Sequence, residues 1–105
     1  MDKKYLEDIK KYDKKPDTEL VEALYRRLAG ALARKDARLV AFSDAKEVGR
    51  VRRNFVMARL GITSKTKADE AIMMVAEKMK KDRTKSRLTV YYLLTQHFKA
   101  KKKVC

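Results

Sequence analysis

The chain of 105 residues carries 28 Lys and Arg against 14 Asp and Glu, a net charge of +14, and 45% of its residues are hydrophobic. This length fits one domain with a modest core, and only 3 Gly and 1 Pro exclude a loop-rich sandwich, a collagen-like chain or a linker. The excess positive charge attracts polyanions but carries no information about catalysis.

The first segment supports two predictions: the protein stays in the cytoplasm, and the chain begins with a short helix. Charged residues follow Met1 directly, so the apolar core of a secretory signal is missing. The spacing of Tyr5, Leu6 and Ile9 predicts a helix over 3–12 that ends before Pro16.

The second predicted helix has the clearest pattern in the chain. Asp17 is a suitable N-cap, and apolar residues then recur at spacings of one, three and four from Leu20 to Leu32. We expect this helix to continue to about Lys35, despite Gly30.

A third helix is predicted from an N-cap at Ser43 to a left-handed residue at Gly61. Its apolar edge contains Val48, Val51 and Phe55. The opposite edge is basic, and its members are Lys46, Arg50 and Arg53.

The fourth predicted helix begins with a capping box at Thr66 and buries a face formed by Ala68, Ile72, Val75, Ala76 and Met79. Met73 and Met74 lie beside that face. They are either contacts at the edge of the core or part of an adaptable surface for a protein partner.

The last segment is compatible with two structures. Residues 88–94 are rich in β-branched and aromatic residues, so they could form a strand paired with 38–42. We favour a helix over 86–100, because Ser86 is a suitable N-cap and the apolar pattern continues to Phe98. Such a helix, apolar on nearly all sides, would be the central buried element. The lysine-rich tail, 99–105, is expected to fray.

The sequence therefore predicts an all-α fold: one compact domain over 1–105, a bundle of about five helices. No apolar stretch approaches the roughly 20 residues needed to cross a bilayer, so no membrane span is expected. Cys105 has no partner for a disulfide or a shared metal site, and neither a cofactor nor a metal is expected.

The sequence resembles a group of small bacterial proteins of about this length that are classed only as a domain of unknown function. The likeness is carried by 33–40, 43–44, 50–52, 77–87 and 91–94, together with 5–6 and 9–12. It covers nearly the whole chain and implies a single helical domain, with no activity, substrate or catalytic residue to transfer. This sequence differs from that family in its larger excess of basic residues and in its lysine-rich tail.

The motifs of common enzymes are missing, and the protein is predicted not to be an enzyme. His97 is the only histidine and has no recognisable acidic partner in the sequence. There is no glycine-rich phosphate loop, paired cysteine or nucleophile elbow, and no small-molecule substrate is indicated.

The strongest functional signal is a run of six basic residues within 78–87. If Ser86 starts the last helix, the free N–H groups of its first turn would lie beside the basic side chains and could hold a phosphate. The predicted nucleic-acid-binding residues are Lys80, Lys81, Arg83, Lys85, Ser86 and Arg87, with Arg50 and Arg53 on the third helix in support. A solvated loop in which Asp82 pairs with an arginine is the plainer alternative.

Two functions from different classes follow. The first is non-specific binding of DNA or RNA through phosphate contacts, because few aromatic residues are predicted to be exposed for base stacking. The second is a protein-interaction module or homodimer that uses the apolar surface around Met73 and Met74. A basic helix lying on anionic lipid fits less well, because the basic faces lack large apolar neighbours that would insert.

Overall fold

The computed structural model describes residues 1–105 and contains five α-helices with no strand, as the sequence predicts. The α-helices are α1 (Lys3–Lys10), α2 (Thr18–Leu32), α3 (Ala45–Arg50), α4 (Lys65–Lys78) and α5 (Arg87–His97). A π-helix (Val51–Met57) continues α3, and a 3-10 turn (Lys101–Lys103) follows α5.

Local capping fixes the helix starts. Asp17 caps α2 by accepting a hydrogen bond from the Leu20 backbone N–H at 3.1 Å, as predicted. The predictions for two other caps are wrong by one and two residues, since Asp44 caps α3 and Ser64 caps α4. In each case the actual cap, like the predicted one, has a side-chain oxygen that can accept a hydrogen bond from a backbone N–H of the first turn. Asp44 does so in place of Ser43, and Ser64 does so in place of Thr66.

The helix ends also follow local chemistry. Gly61 adopts a φ of 76° after the π-helix, and the Ile62 N–H bonds back to the Val56 carbonyl at 3.2 Å, as expected for a Schellman-type stop. Helix α2 ends at Leu32 and not at Lys35, and α1 ends at Lys10 with a turn up to Tyr12.

Residues 87–97 are helical, so the strand alternative for this segment is wrong. Part of the expected pairing is still present immediately before the helix. Leu39 and Ser86 form an isolated antiparallel bridge, with the Val40 N–H bonded to the Lys85 carbonyl at 2.8 Å. The strand-like pairing is thus limited to one bridge that precedes the residues of β-rich composition, and those residues are buried as a helix.

Helix α5 packs against α1, α2 and α4, and its residues from Arg87 to Thr95 are all buried. It is not apolar throughout, because Arg87, Thr89 and Thr95 belong to this buried stretch. Each finds a partner inside the protein. The Thr95 hydroxyl, for example, donates to the Tyr91 carbonyl at 2.7 Å, and the Thr89 hydroxyl donates to the Asp8 carboxylate.

The lysine-rich end, for which the sequence predicts fraying, packs onto α2 in the structure. Val104 is only 2% exposed, and its carbonyl accepts a hydrogen bond from the Arg27 Nε at 3.0 Å. Lys101 forms ion pairs with Asp17 at 2.9 Å and with Glu19 at 2.8 Å. These contacts hold the chain end beside the start of α2.

Candidate anion-binding clefts

The connection between α4 and α5 forms one side of an open cleft of about 610 Å³, which we call the 80–85 cleft. Three predicted binding residues, Lys80, Arg83 and Lys85, line it. The opposite side is the segment from Asp36 to Ser43, where the backbone comes close through the bridge at Leu39. The fold thus brings three of the eight predicted residues to one place.

These three cations differ in how freely they can bind a ligand. Arg83 is exposed and has no carboxylate or hydrogen-bond partner in the protein. Lys80 forms an ion pair with Glu77 at 2.7 Å, and this pair raises the pKa of the Lys80 ammonium. Because both side chains are exposed, the pair is weak, and another anion can replace Glu77 as the partner of Lys80. Lys85 donates to the Asp82 carbonyl.

The start of α5 is less available than predicted. Its first N–H, that of Arg87, bonds to the Arg38 carbonyl at 2.8 Å. Ser86 makes no capping hydrogen bond, and its hydroxyl oxygen is buried without a partner, as is the Nε of Arg38. The predicted phosphate cradle at the helix terminus is therefore occupied in part by the bridge with the 38–40 segment.

The placement predicted for Arg87 is wrong. Its residue exposure is 9%, and its guanidinium bonds to the Ala37 carbonyl, to the Glu47 carboxylate and to the Tyr91 hydroxyl at 2.9 Å. Burial lowers the pKa of Arg87, but the Tyr91 and Glu47 partners outweigh it and raise the pKa overall. Arg87 is a buried structural cation and not part of the 80–85 cleft.

Arg50 also faces a different cleft. It pairs with Glu47 at 2.8 Å and lines a second cleft of about 430 Å³, together with Arg34, Asn54 and one edge of Arg87. Asp36 lines both clefts, so the two basic surfaces adjoin at this residue.

Three predicted residues, Ser86, Lys81 and Arg53, lie in neither cleft. Lys81 is exposed and forms no ion pair. Arg53 is exposed as well, and its guanidinium covers Gly49, where an added Cβ would lie 2.9 Å from Nη1.

The sequence analysis did not identify Arg34 and Asn54, which line the second cleft. Arg34 and Arg38 flank the turn after α2, and nothing local shows that this turn packs beside the start of α5. Arg34 lies beyond the end of α2 at Leu32, so no helical spacing in the sequence indicated a basic face there.

Met73 and Met74 lie on the exposed side of α4. Their exposed fractions are 68% and 42%, so the interpretation of both residues as contacts at the edge of the core does not hold for Met73. His97 is exposed and meets Phe98 edge-on, with ring centroids 4.8 Å apart.

The His, Cys, Asp and Glu side chains form no cluster of three or more that could hold a metal ion. None of the helices combines the length and the apolar character that crossing a bilayer requires.

The fold and clefts define a small all-helical protein with two adjoining basic surfaces. The chain belongs to the family described as "Protein of unknown function (DUF2853)", whose family model matches residues 4–102. This finding confirms the resemblance seen in the sequence. No curated protein matches the chain.

Proposed function

We propose that this protein binds nucleic acid through phosphate contacts and has no catalytic activity of its own. The observation that carries the proposal is the convergence of Lys80, Arg83 and Lys85 on the open 80–85 cleft. Three cationic side chains on one side of this concavity create a local positive potential where a phosphate can be contacted by more than one donor.

The charge of the rest of the molecule supports a polyanionic partner. Eight of the 28 Lys and Arg side chains form ion pairs with carboxylates, which leaves 20 without one. Four to six phosphate contacts would give a log–log salt slope of about −4 to −5 on duplex DNA.

Fluorescence anisotropy with labelled DNA and RNA tests this function. We expect binding at about 50 mM salt that weakens steeply by about 200 mM. The site is tested with Lys80→Glu plus Arg83→Glu, and the matched control is Lys3→Glu plus Lys14→Glu, which changes the net charge equally outside the cleft. Arg87→Glu is unsuitable, because it would bury a carboxylate beside Glu47.

The outcomes are distinct. A cleft variant that loses at least tenfold more affinity than the control supports the 80–85 cleft. Equal losses in the two variants would show that the cleft is not the site. No binding to any oligonucleotide at low salt would reject the function itself.

A second candidate function is docking of a protein helix, or of a second copy of this chain, on α4. The supporting observation is the pair Met73 and Met74, which are adjacent, apolar and exposed. Association through this apolar surface should be nearly independent of salt, and Met73→Ser with Met74→Ser should abolish it. Sedimentation velocity of the wild type and this variant separates the homodimer from a monomer.

A further inference from the structure

Two adjoining clefts form a groove between α2 and the helix made up of α3 and the π-helix. It consists of the 430 Å³ cleft described above and a neighbouring cleft of about 370 Å³, which share Leu28, Asn54 and Tyr91. We call it the arginine groove, after the five arginines that line it: Arg27, Arg34, Arg50, Arg59 and Arg87.

The groove contains arginine side chains but no lysine side chain. The chain has ten arginines and 18 lysines, and the groove contains half of the arginines and none of the lysines. Arginine presents a flat fork of donors that matches a phosphate in two bonds and stacks on planar groups, whereas lysine acts as a hydrated point charge. A surface that needed only positive charge would not separate the two.

Two of these arginines are free to bind. Arg34 lines one half of the groove and Arg59 the other, and both are exposed, with no hydrogen bond from the side chain to the protein. Arg50 keeps donors beyond its bond to Glu47, and Arg27 has one bond to the Val104 carbonyl. Asp36 is the only carboxylate lining the groove that is not already paired with arginine.

Leu28 and Tyr91 line both halves of the groove. Tyr91 is only 7% exposed, and its ring stacks on Phe55 with centroids 3.9 Å apart and an interplanar angle of 12°. The ring is held in this orientation because its hydroxyl accepts a hydrogen bond from Arg87. The groove thus combines arginine side chains with Leu28 and the small exposed part of a fixed aromatic ring.

The wall opposite α2 has an unusual backbone. Residues 51–57 form a π-helix, in which the Ala58 N–H bonds to the Arg53 carbonyl five residues earlier at 3.1 Å. Such widened turns are rare and occur frequently at functional sites. Asn54, near the middle of this turn, lines both halves of the groove and its exposed amide has no partner in the protein.

We propose that the arginine groove binds single-stranded nucleic acid. Arg34 and Arg59 contact phosphates, Leu28 and the exposed part of Tyr91 receive a base or sugar, and the Asn54 amide meets a base edge with both a donor and an acceptor. A duplex keeps its bases stacked inside a convex backbone and cannot place both phosphate and base in a groove between two helices. This inference rests on the proposed nucleic-acid function, names the form that is bound, and adds the arginine groove, which adjoins the 80–85 cleft at Asp36, as a second binding surface.

The decisive variant is Arg34→Glu plus Arg59→Glu, since both side chains are exposed and the core is untouched. The control is again Lys3→Glu plus Lys14→Glu, which makes the same change in net charge. The probes are labelled oligo(dT) and oligo(U) of about 12 nucleotides, and a mixed-sequence duplex of the same length. Circular dichroism of each variant checks that it is folded.

We expect the groove variant to weaken single-strand binding at least tenfold, and the control less than threefold. Loss of two phosphate contacts should also reduce the log–log salt slope on single strands by about 1.4, whereas the control keeps the wild-type slope. Arg34→Lys plus Arg59→Lys should retain the slope and still lose affinity several-fold, because charge remains but the forked hydrogen bonding is lost.

Each contrary outcome has its own meaning. Equal losses in the groove variant and the control would overturn the inference, as would tighter binding of the duplex than of the single strands. If binding depends on Lys80 and Arg83 and not on the groove, the proposed function stands and this inference fails. If no oligonucleotide binds, both fail. An acidic peptide of equal charge that competes as strongly as oligo(dT) would reassign the groove to a protein ligand.

Discussion

Glu47 and Arg87 lie forty residues apart and form an ion pair in which the side chains are only 9% and 11% exposed. Glu47 also bonds to Arg50 at 2.8 Å, so one carboxylate joins a buried arginine to an arginine on the groove wall. A buried pair of this kind gains little over an apolar pair, but loss of one partner leaves an uncompensated charge in the interior. The pair therefore ties the start of α5 to α3 and fixes the geometry of the arginine groove.

Glu47→Gln should destabilise the protein by about 3 kcal/mol, because Arg87 would remain charged and buried without its counter-ion. Urea denaturation followed by circular dichroism measures the change. The control is Glu77→Gln, which breaks the exposed pair with Lys80 and should change the free energy of unfolding by less than about 0.5 kcal/mol. Similar losses in the two variants would contradict the structural role assigned to Glu47.

Stability should fall at acid pH, in part through Glu47. Burial raises the pKa of this carboxyl, but the hydrogen bonds from Arg50 and Arg87 outweigh it and hold the pKa below its ordinary value. Because the folded pKa is the lower one, the contribution is complete above the unfolded value of about 4.3 and is lost as the pH falls through the folded value. Asp69 behaves in the same way, since Lys65 and Arg52 lower its pKa.

Denaturation curves at about pH 7, 5 and 3 test this behaviour. Between pH 5 and 3 the wild type should lose more stability than Glu47→Gln, which lacks the titrating group. Parallel decreases for the two proteins would show that Glu47 does not contribute to the pH dependence.

Two glycines should respond to alanine in opposite directions. Gly30 lies within α2 with nothing within 4 Å of an added Cβ, so Gly30→Ala should stabilise the protein by about 1 kcal/mol through helix propensity. Gly61 has a φ of 76°, so Gly61→Ala should cost about 1–2 kcal/mol. Thermal unfolding of both variants provides the measurement, and a loss of stability in Gly30→Ala would contradict the open space at that position.

The carboxy-terminal residues should contribute measurably to stability. Val104→Ala removes two buried methyl groups and should cost about 1.5 kcal/mol, whereas Lys102→Ala, at an exposed and unpaired position, should change little. If the chain end is frayed, as its lysine content suggests, both substitutions would leave the free energy of unfolding unchanged. Urea denaturation distinguishes the two states of this segment.

The sequence alone determined the all-α class, the N-cap at Asp17, the stop at Gly61 and most of the buried face of α4; of the five residues predicted there, only Ala76 is not fully buried. These features depend on residues within a few positions of one another, so capping chemistry and apolar periodicity are sufficient to predict them. The helical structure of residues 88–94 was harder to predict from the sequence, because their composition also suits a β-strand. Burial against several neighbouring helices decides between helix and strand.

Only the tertiary structure decided which cations are available. Arg87 stands in a basic run with Lys80, Arg83 and Lys85, yet it turns inward to Glu47 while those three line a cleft. The arginine groove likewise combines residues from α2, α3, the π-helix and α5, which are distant in the chain. Charge and spacing show how many cations a helix carries, but the packing of helices far apart in sequence determines which of them meet a carboxylate and which face solvent together.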